Sequence, residues 1–112
     1  RTPIKLHIRL ATHADIPALC ALSQAVYGAD AFNAEMLRGQ MNAFPDGQFV
    51  ADYNGQLVGH AATFIIDGAL ALKAHTWPEI TGYGFASRHD PHGDYLYGME
   101  VCVDPRFRGL RI

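Results

Sequence analysis

The stretch Tyr95-Leu96-Tyr97-Gly98-Met99-Glu100-Val101-Cys102-Val103-Asp104-Pro105-Arg106-Phe107-Arg108-Gly109-Leu110-Arg111-Ile112 decides how the rest of the chain is read. Tyr95 to Val103 has the length and the aromatic and β-branched content of a strand, and Asp104-Pro105 closes it. Beyond the proline, Arg106, Arg108 and Arg111 surround Gly109. A solvated basic turn would have this composition. So would a loop that leads into a helix N-terminus, where unpaired N–H groups and the positive end of the helix dipole receive an anion. The place of the loop, directly after a strand, favours the second reading.

Working back from that strand, Gln48-Phe49-Val50-Ala51-Asp52-Tyr53 and Gln56 to Ile66 flank Asn54-Gly55. Asn-Gly between two apolar runs predicts a tight hairpin, because both residues tolerate the positive φ of a type I′ turn. Earlier still, Ile4, Leu6, Ile8 and Leu10 alternate with Lys5, His7 and Arg9, the period of a half-buried strand. Thr12-His13-Ala14-Asp15 has the form of a capping box with Asp in place of Glu, and Asp15 as N-cap would put Pro17 in the first helical turn. Ile16, Leu19, Cys20, Leu22 and Val26 then recur at helical spacing, and Gly28 stops that helix. Asn33 caps a second helix with Leu37, Met41 and Phe44 on one face, ended by Pro45-Asp46-Gly47, although Gly39 weakens it. Residues 68–94 read as an insertion: Leu70, Leu72 and Trp77 support a short helix ending at Pro78, and the remainder is loop. The order is strand, helix, helix, strand, strand, insertion, strand, loop, in a single domain spanning 1–112.

Composition narrows the function classes. The 112 residues are 49% hydrophobic and 18% charged, with a formal net charge of -2, so the chain is an ordinary folding sequence without a basic field. That balance argues against nucleic acid and an anionic membrane as partners. The weakly polar run from Leu57 to Ile66 is too short to span a bilayer as a helix, and the N-terminus shows no apolar signal segment. Cys20 and Cys102, far apart and outside any CxxC spacing, read as reduced thiols of a cytoplasmic protein.

The element order, together with Val103-Asp104-Pro105-Arg106-Phe107-Arg108-Gly109-Leu110-Arg111-Ile112, resembles the GNAT family of N-acetyltransferases, whose signature is a strand ending in V-x-P followed by R/Q-G-x-G-x-G/A at a helix start. Arg111 stands where that signature usually has Gly, and the last Gly would fall beyond Ile112. Trp77-Pro78-Glu79-Ile80-Thr81-Gly82 and His89-Asp90-Pro91-His92-Gly93-Asp94 are similar to GNAT domains that precede a carbon-nitrogen hydrolase domain in bifunctional proteins. The resemblance implies an α/β fold, a mixed, mostly antiparallel sheet with two N-terminal helices, incomplete at the C-terminus. It implies transfer of acetyl from acetyl-CoA, as co-substrate and without metal, to a primary amine of a small molecule or peptide by direct attack. The diphosphate would lie on the backbone of Gly109, Leu110, Arg111 and Ile112, with Arg108 and Arg111 adding charge, and the pantetheine arm along Val101, Cys102 and Val103. Glu100, in an apolar strand beside the expected acyl group, is the candidate base, since partial burial raises a carboxyl pKa towards the working range. A rim carboxylate or one paired to an arginine is the alternative reading of Glu100. A non-catalytic acyl-CoA-sensing or interaction module, attached to a hydrolase domain, is the alternative for the chain. An unfinished sheet also predicts an exposed edge and face that favour self-association.

Several residues invite chemistry that the pattern does not support. His89 and His92 with Asp90 and Asp94 have a metal-like look, but Pro91 and Gly93 make the segment a turn. His60 is expected half-exposed on its strand. Cys102 is expected to be a small core residue rather than an acyl acceptor, because no motif places a His to activate it. Trp77, Tyr83, Phe85, Tyr95 and Tyr97 could line an amine pocket or simply pack the insertion onto the sheet.

Overall fold

The structure, a computed structural model, describes residues 6–73 and 75–110. Strands β1 (Leu6–Leu10), β2 (Gln48–Tyr53), β3 (Gln56–Ile66) and β4 (Tyr95–Val103) form one antiparallel sheet in the order β1-β2-β3-β4. Helices α1 (Ile16–Tyr27) and α2 (Ala34–Ala43) lie between β1 and β2 in the chain. The fold is therefore α/β with two early helices, as the sequence predicts.

Local chemistry accounts for the element boundaries. Asp15 accepts from the Thr12 backbone N–H at 2.8 Å, forming the expected capping box, and also pairs with Arg9 at 2.8 Å. Gly28 ends α1 at φ 58, and the Asn33 side chain accepts from Met36 N–H at 2.9 Å to start α2. Asn54 and Gly55 take φ 52 and 88, the positive values that the hairpin turn needs. Gly39 has a packing reason inside α2: a Cβ there would stand 2.8 Å from Cδ2 of Phe85.

One face of the sheet carries the helices. Ile16, Leu19, Phe32, Leu37, Met41 and Val50 form one buried cluster. Ala62, Phe64, Ile66, Ile80, Ala86 and Met99 form a second beneath the 68–94 segment. The expected inward alternation of β1 is reversed in effect: Ile8 and Leu10 are exposed, while Arg9 lies on the helix side and reaches Asp15 and Asp52. Register explains this, since Arg9 sits opposite Val50 on the core face and Ile8 opposite Ala51 on the other. Ile8, Phe49 and Val101 thus share an apolar sheet face that no described element covers.

The 68–94 segment differs from expectation in its details. It holds two short helices, α3 (Gly68–Leu72) and α4 (Trp77–Thr81), and Pro78 lies in the first turn of α4 rather than ending a helix. Thr76 caps α4, and a proline in a first turn forfeits no intrahelical hydrogen bond. Among the described residues, no helix is long and apolar enough to cross a membrane.

Candidate functional site

The β3–β4 ladder positions the central residues. Ala62 lies opposite Glu100, but Thr63 lies opposite Gly98, so Met99 is an extra residue on β4. Such a bulge breaks the strict alternation of side chains and re-aims those beside it. Met99 is buried, and Glu100 two residues before buried Cys102 turns to the helix side half-buried. Val101 between them is 73% exposed, on the uncovered face.

Glu100 lies at the edge of a cleft of about 400 Å³ lined also by Tyr27, Asp30, Phe32, Trp77 and Met99. Burial pushes its carboxyl pKa up, and a hydrogen bond with Tyr27 pulls it part of the way back. The cleft walls are fixed by polar contacts. Phe32 N–H donates to Ser23 Oγ at 2.8 Å, and Trp77 Nε1 donates to the Met99 carbonyl at 3.1 Å. Phe32 and Trp77 stack with centroids 6.1 Å apart. A deprotonated carboxylate in this setting can accept a proton from a group held between those aromatic walls.

His60 corrects the sequence expectation. It is 5% exposed rather than half-exposed, because β3 is an inner strand and its residue faces the core between Val50 and Cys102. Desolvation lowers its pKa to about 4, which keeps the ring neutral at physiological pH. Cys102 is a buried residue as expected, but a histidine does face it: the register sets His60 directly opposite. Sequence spacing of 42 residues gave no hint of that pairing.

Other candidates separate. Of the aromatic group, Trp77 alone lines the cleft beside Glu100. Tyr83 is 71% exposed, Phe85 packs against Gly39, and Tyr97 meets Phe64 and His75. His89 Nδ1 accepts from Ile65 N–H at 3.0 Å and its ring stacks on Phe44, and Asp90 accepts from His92 N–H. These are structural roles, consistent with a loop. Tyr27 and Asp30 were not anticipated; they flank the Gly28 stop of α1, and only the packing of that helix on the sheet brings them to Glu100.

The loop after β4 begins as a 3-10 turn over Pro105–Leu110, so Arg108, Gly109 and Leu110 follow a helical path. Asp104 organises its start: its carboxylate accepts from Arg106 N–H at 2.9 Å and from the guanidinium at 2.8 Å. Phe107 packs on Tyr53 with centroids 5.5 Å apart. Arg111 and Ile112 lie outside the described residues.

Comparison with known proteins bears on the fold. No family model matches the chain. It is 32% identical over 109 residues to "Probable hydrolase YhcX" of Bacillus subtilis, matching 96% of this chain and 21% of that protein. It is 30% identical over 112 residues to "Uncharacterized N-acetyltransferase YkwB" of the same organism, matching 96% of this chain and 50% of that protein. The chain thus spans a fifth to a half of these curated relatives. Among solved structures, the GphF GNAT-like decarboxylase in complex with isobutyryl-CoA superposes with a TM-score of 0.79 at 31% identity, covering 91% of this chain and 50% of that one. The loading GNATL domain of CurA from Lyngbya majuscula gives 0.79 at 19% identity, covering 93% and 50%.

Proposed function

From a chain with a GNAT-like fold that resembles N-acetyltransferases, we propose that it forms the acyl-CoA and base side of an acyl-CoA-dependent N-acyltransferase. Its acyl donor is acetyl-CoA and its acceptor a primary amine. The amine nitrogen attacks the thioester carbonyl, the tetrahedral intermediate collapses, and CoA leaves as a thiolate that takes up a proton. Glu100 receives the proton the amine loses, directly or through one water. The β4 backbone at Val101, Cys102 and Val103 pairs with the pantetheine arm. The backbone from Gly109 to Ile112, with Arg108 and Arg111, holds the diphosphate. A downstream domain, of the kind suggested by the hydrolase relative, would be fused to this one.

The observation that carries this reading is Glu100, half-buried with its pKa raised by desolvation, at the edge of a cleft with aromatic walls. The test is release of free CoA thiol by the full-length protein from acetyl-CoA across an amine panel. Amine-dependent release that Glu100→Gln reduces by ~100-fold or more, with folding intact, supports the base role. Acetyl-CoA binding without release would leave the domain a sensing module.

A second reading is favoured by the 31% identity to a GNAT-like decarboxylase. A 2-carboxyacyl-CoA in the same cleft would lose CO₂ to give a thioester enolate, which then takes a proton. Amine-independent formation of the shortened acyl-CoA would establish it in place of amine transfer.

A further inference from the structure

We propose that His60, Glu100 and Cys102 form a binding site for one thiophilic divalent cation, zinc being the best match. One ligand atom from each residue lies within 4.8 Å of the others. The three come from two paired strands: His60 stands directly opposite Cys102, and Glu100 is two residues back along β4 on the same face. A tetrahedral zinc site with bonds of ~2.0–2.3 Å spaces its ligand atoms roughly 3.3–3.6 Å apart. The cluster therefore needs closure by about 1 Å or slightly more, within reach of the two torsions that swing the Glu100 carboxylate.

The second observation concerns His60 alone. It is 5% exposed, and its Nε2 has no hydrogen-bond partner. A buried polar atom without a partner costs ~1–3 kcal/mol, and folded proteins rarely leave one without a use. A metal ion on that nitrogen would supply the missing partner. Imidazole, thiolate and carboxylate together are a ligand set for zinc rather than for calcium or magnesium, which take oxygen ligands. The charges also balance: a thiolate and a carboxylate neutralise a divalent ion in a place where net charge would be costly. Glu100 also lines the cleft, which gives an ion a route to the cluster from that side. The site shares Glu100 with the proposed acyl transfer, so a bound cation and the base role compete for one carboxylate.

Cobalt(II) is the probe, titrated anaerobically into the reduced, metal-free protein and followed by absorption. The expected result is a sulfur-to-cobalt charge-transfer band and tetrahedral d–d bands that saturate at one equivalent and disappear when zinc is added. Cys102→Ser removes the charge-transfer band, and His60→Gln weakens binding by at least about tenfold. Cys20→Ala leaves both unchanged, because Cys20 lies on α1 outside the cluster. Circular dichroism establishes that each variant is folded. Where one ligand variant fails to fold, the other and the wild-type titration decide. No saturable band in the wild type overturns the proposal, as does a band that survives Cys102→Ser or is lost in Cys20→Ala. None of these readouts involves turnover, so failure here and failure of the transferase reading are separate results.

Discussion

Replacing Ser23 with alanine removes a hydrogen bond that ties the wall of the cleft to α1. Ser23 is 3% exposed and Phe32 8% exposed, and the Phe32 N–H donates to Ser23 Oγ at 2.8 Å. Without the hydroxyl, that N–H is buried and unpaired, at a cost of ~1–3 kcal/mol. Alanine is the better helix former by roughly 0.5 kcal/mol, which offsets part of the loss. The net expectation is a destabilisation of about 1–2 kcal/mol. In urea, with an m-value near ~1.5 kcal/mol/M for a protein of this size, the midpoint falls by about 1 M while m itself is unchanged. Phe32 also stacks on Trp77, the single tryptophan, so the same variant should shift native tryptophan emission as that wall loosens. Ser87→Ala, at an exposed position, is the control. If Ser23→Ala loses no more than this control, within ~0.5 kcal/mol, the Ser23–Phe32 bond does not hold the wall and the reasoning fails.

Three further outcomes follow from the same geometry. Arg9 pairs with Asp15 and lowers its pKa to about 2, so the stabilisation is present above pH ~4 and is lost as pH falls towards 2. Arg9 is 40% exposed, which discounts the effect to about 1 kcal/mol, and Asp15→Asn should flatten the acid slope of stability in that window. Tyr27 opposes the upward push of burial on Glu100, so Tyr27→Phe should move the acid limb of the transferase kcat/KM profile to higher pH; an unmoved limb would show that Glu100 does not set it. Zinc in slight molar excess should suppress CoA release by occupying Glu100, and a chelator should restore it; full activity in the zinc-loaded protein would separate the cation from the base.

Much of this fold was legible because its boundaries are set by local chemistry. The capping box at Thr12 and Asp15, the Asn33 cap and the Asn54-Gly55 turn each depend on a few adjacent residues. What escaped depends on which strand is inside and which face is covered. Ile8 and Leu10 have the period of a buried row, but they lie on the face without helices. His60 has the period of a rim residue, but β3 is paired on both sides and its core face lies between Val50 and Cys102. Tyr27 and Asp30 carry no motif at all. They reach Glu100 because α1 stops at Gly28 and the chain turns there over the end of the cleft.

The bulge at Met99 explains how Met99 and Glu100, neighbours on one strand, both reach the core side. In an unbroken ladder, residues i and i+2 share a face, so Glu100 and Cys102 on the core side would leave Met99 with Val101 on the open side. The extra residue lets Met99 pack into the second core cluster while Glu100 keeps the helix-facing orientation of Cys102. The Met99 carbonyl accepts the Trp77 indole N–H at 3.1 Å, which links α4 to β4 across the cleft. A substitution that erased the bulge would therefore have to choose between burying Met99 and presenting Glu100. The same irregularity brings Met99 into the cleft lining beside Glu100 and under the Trp77 wall.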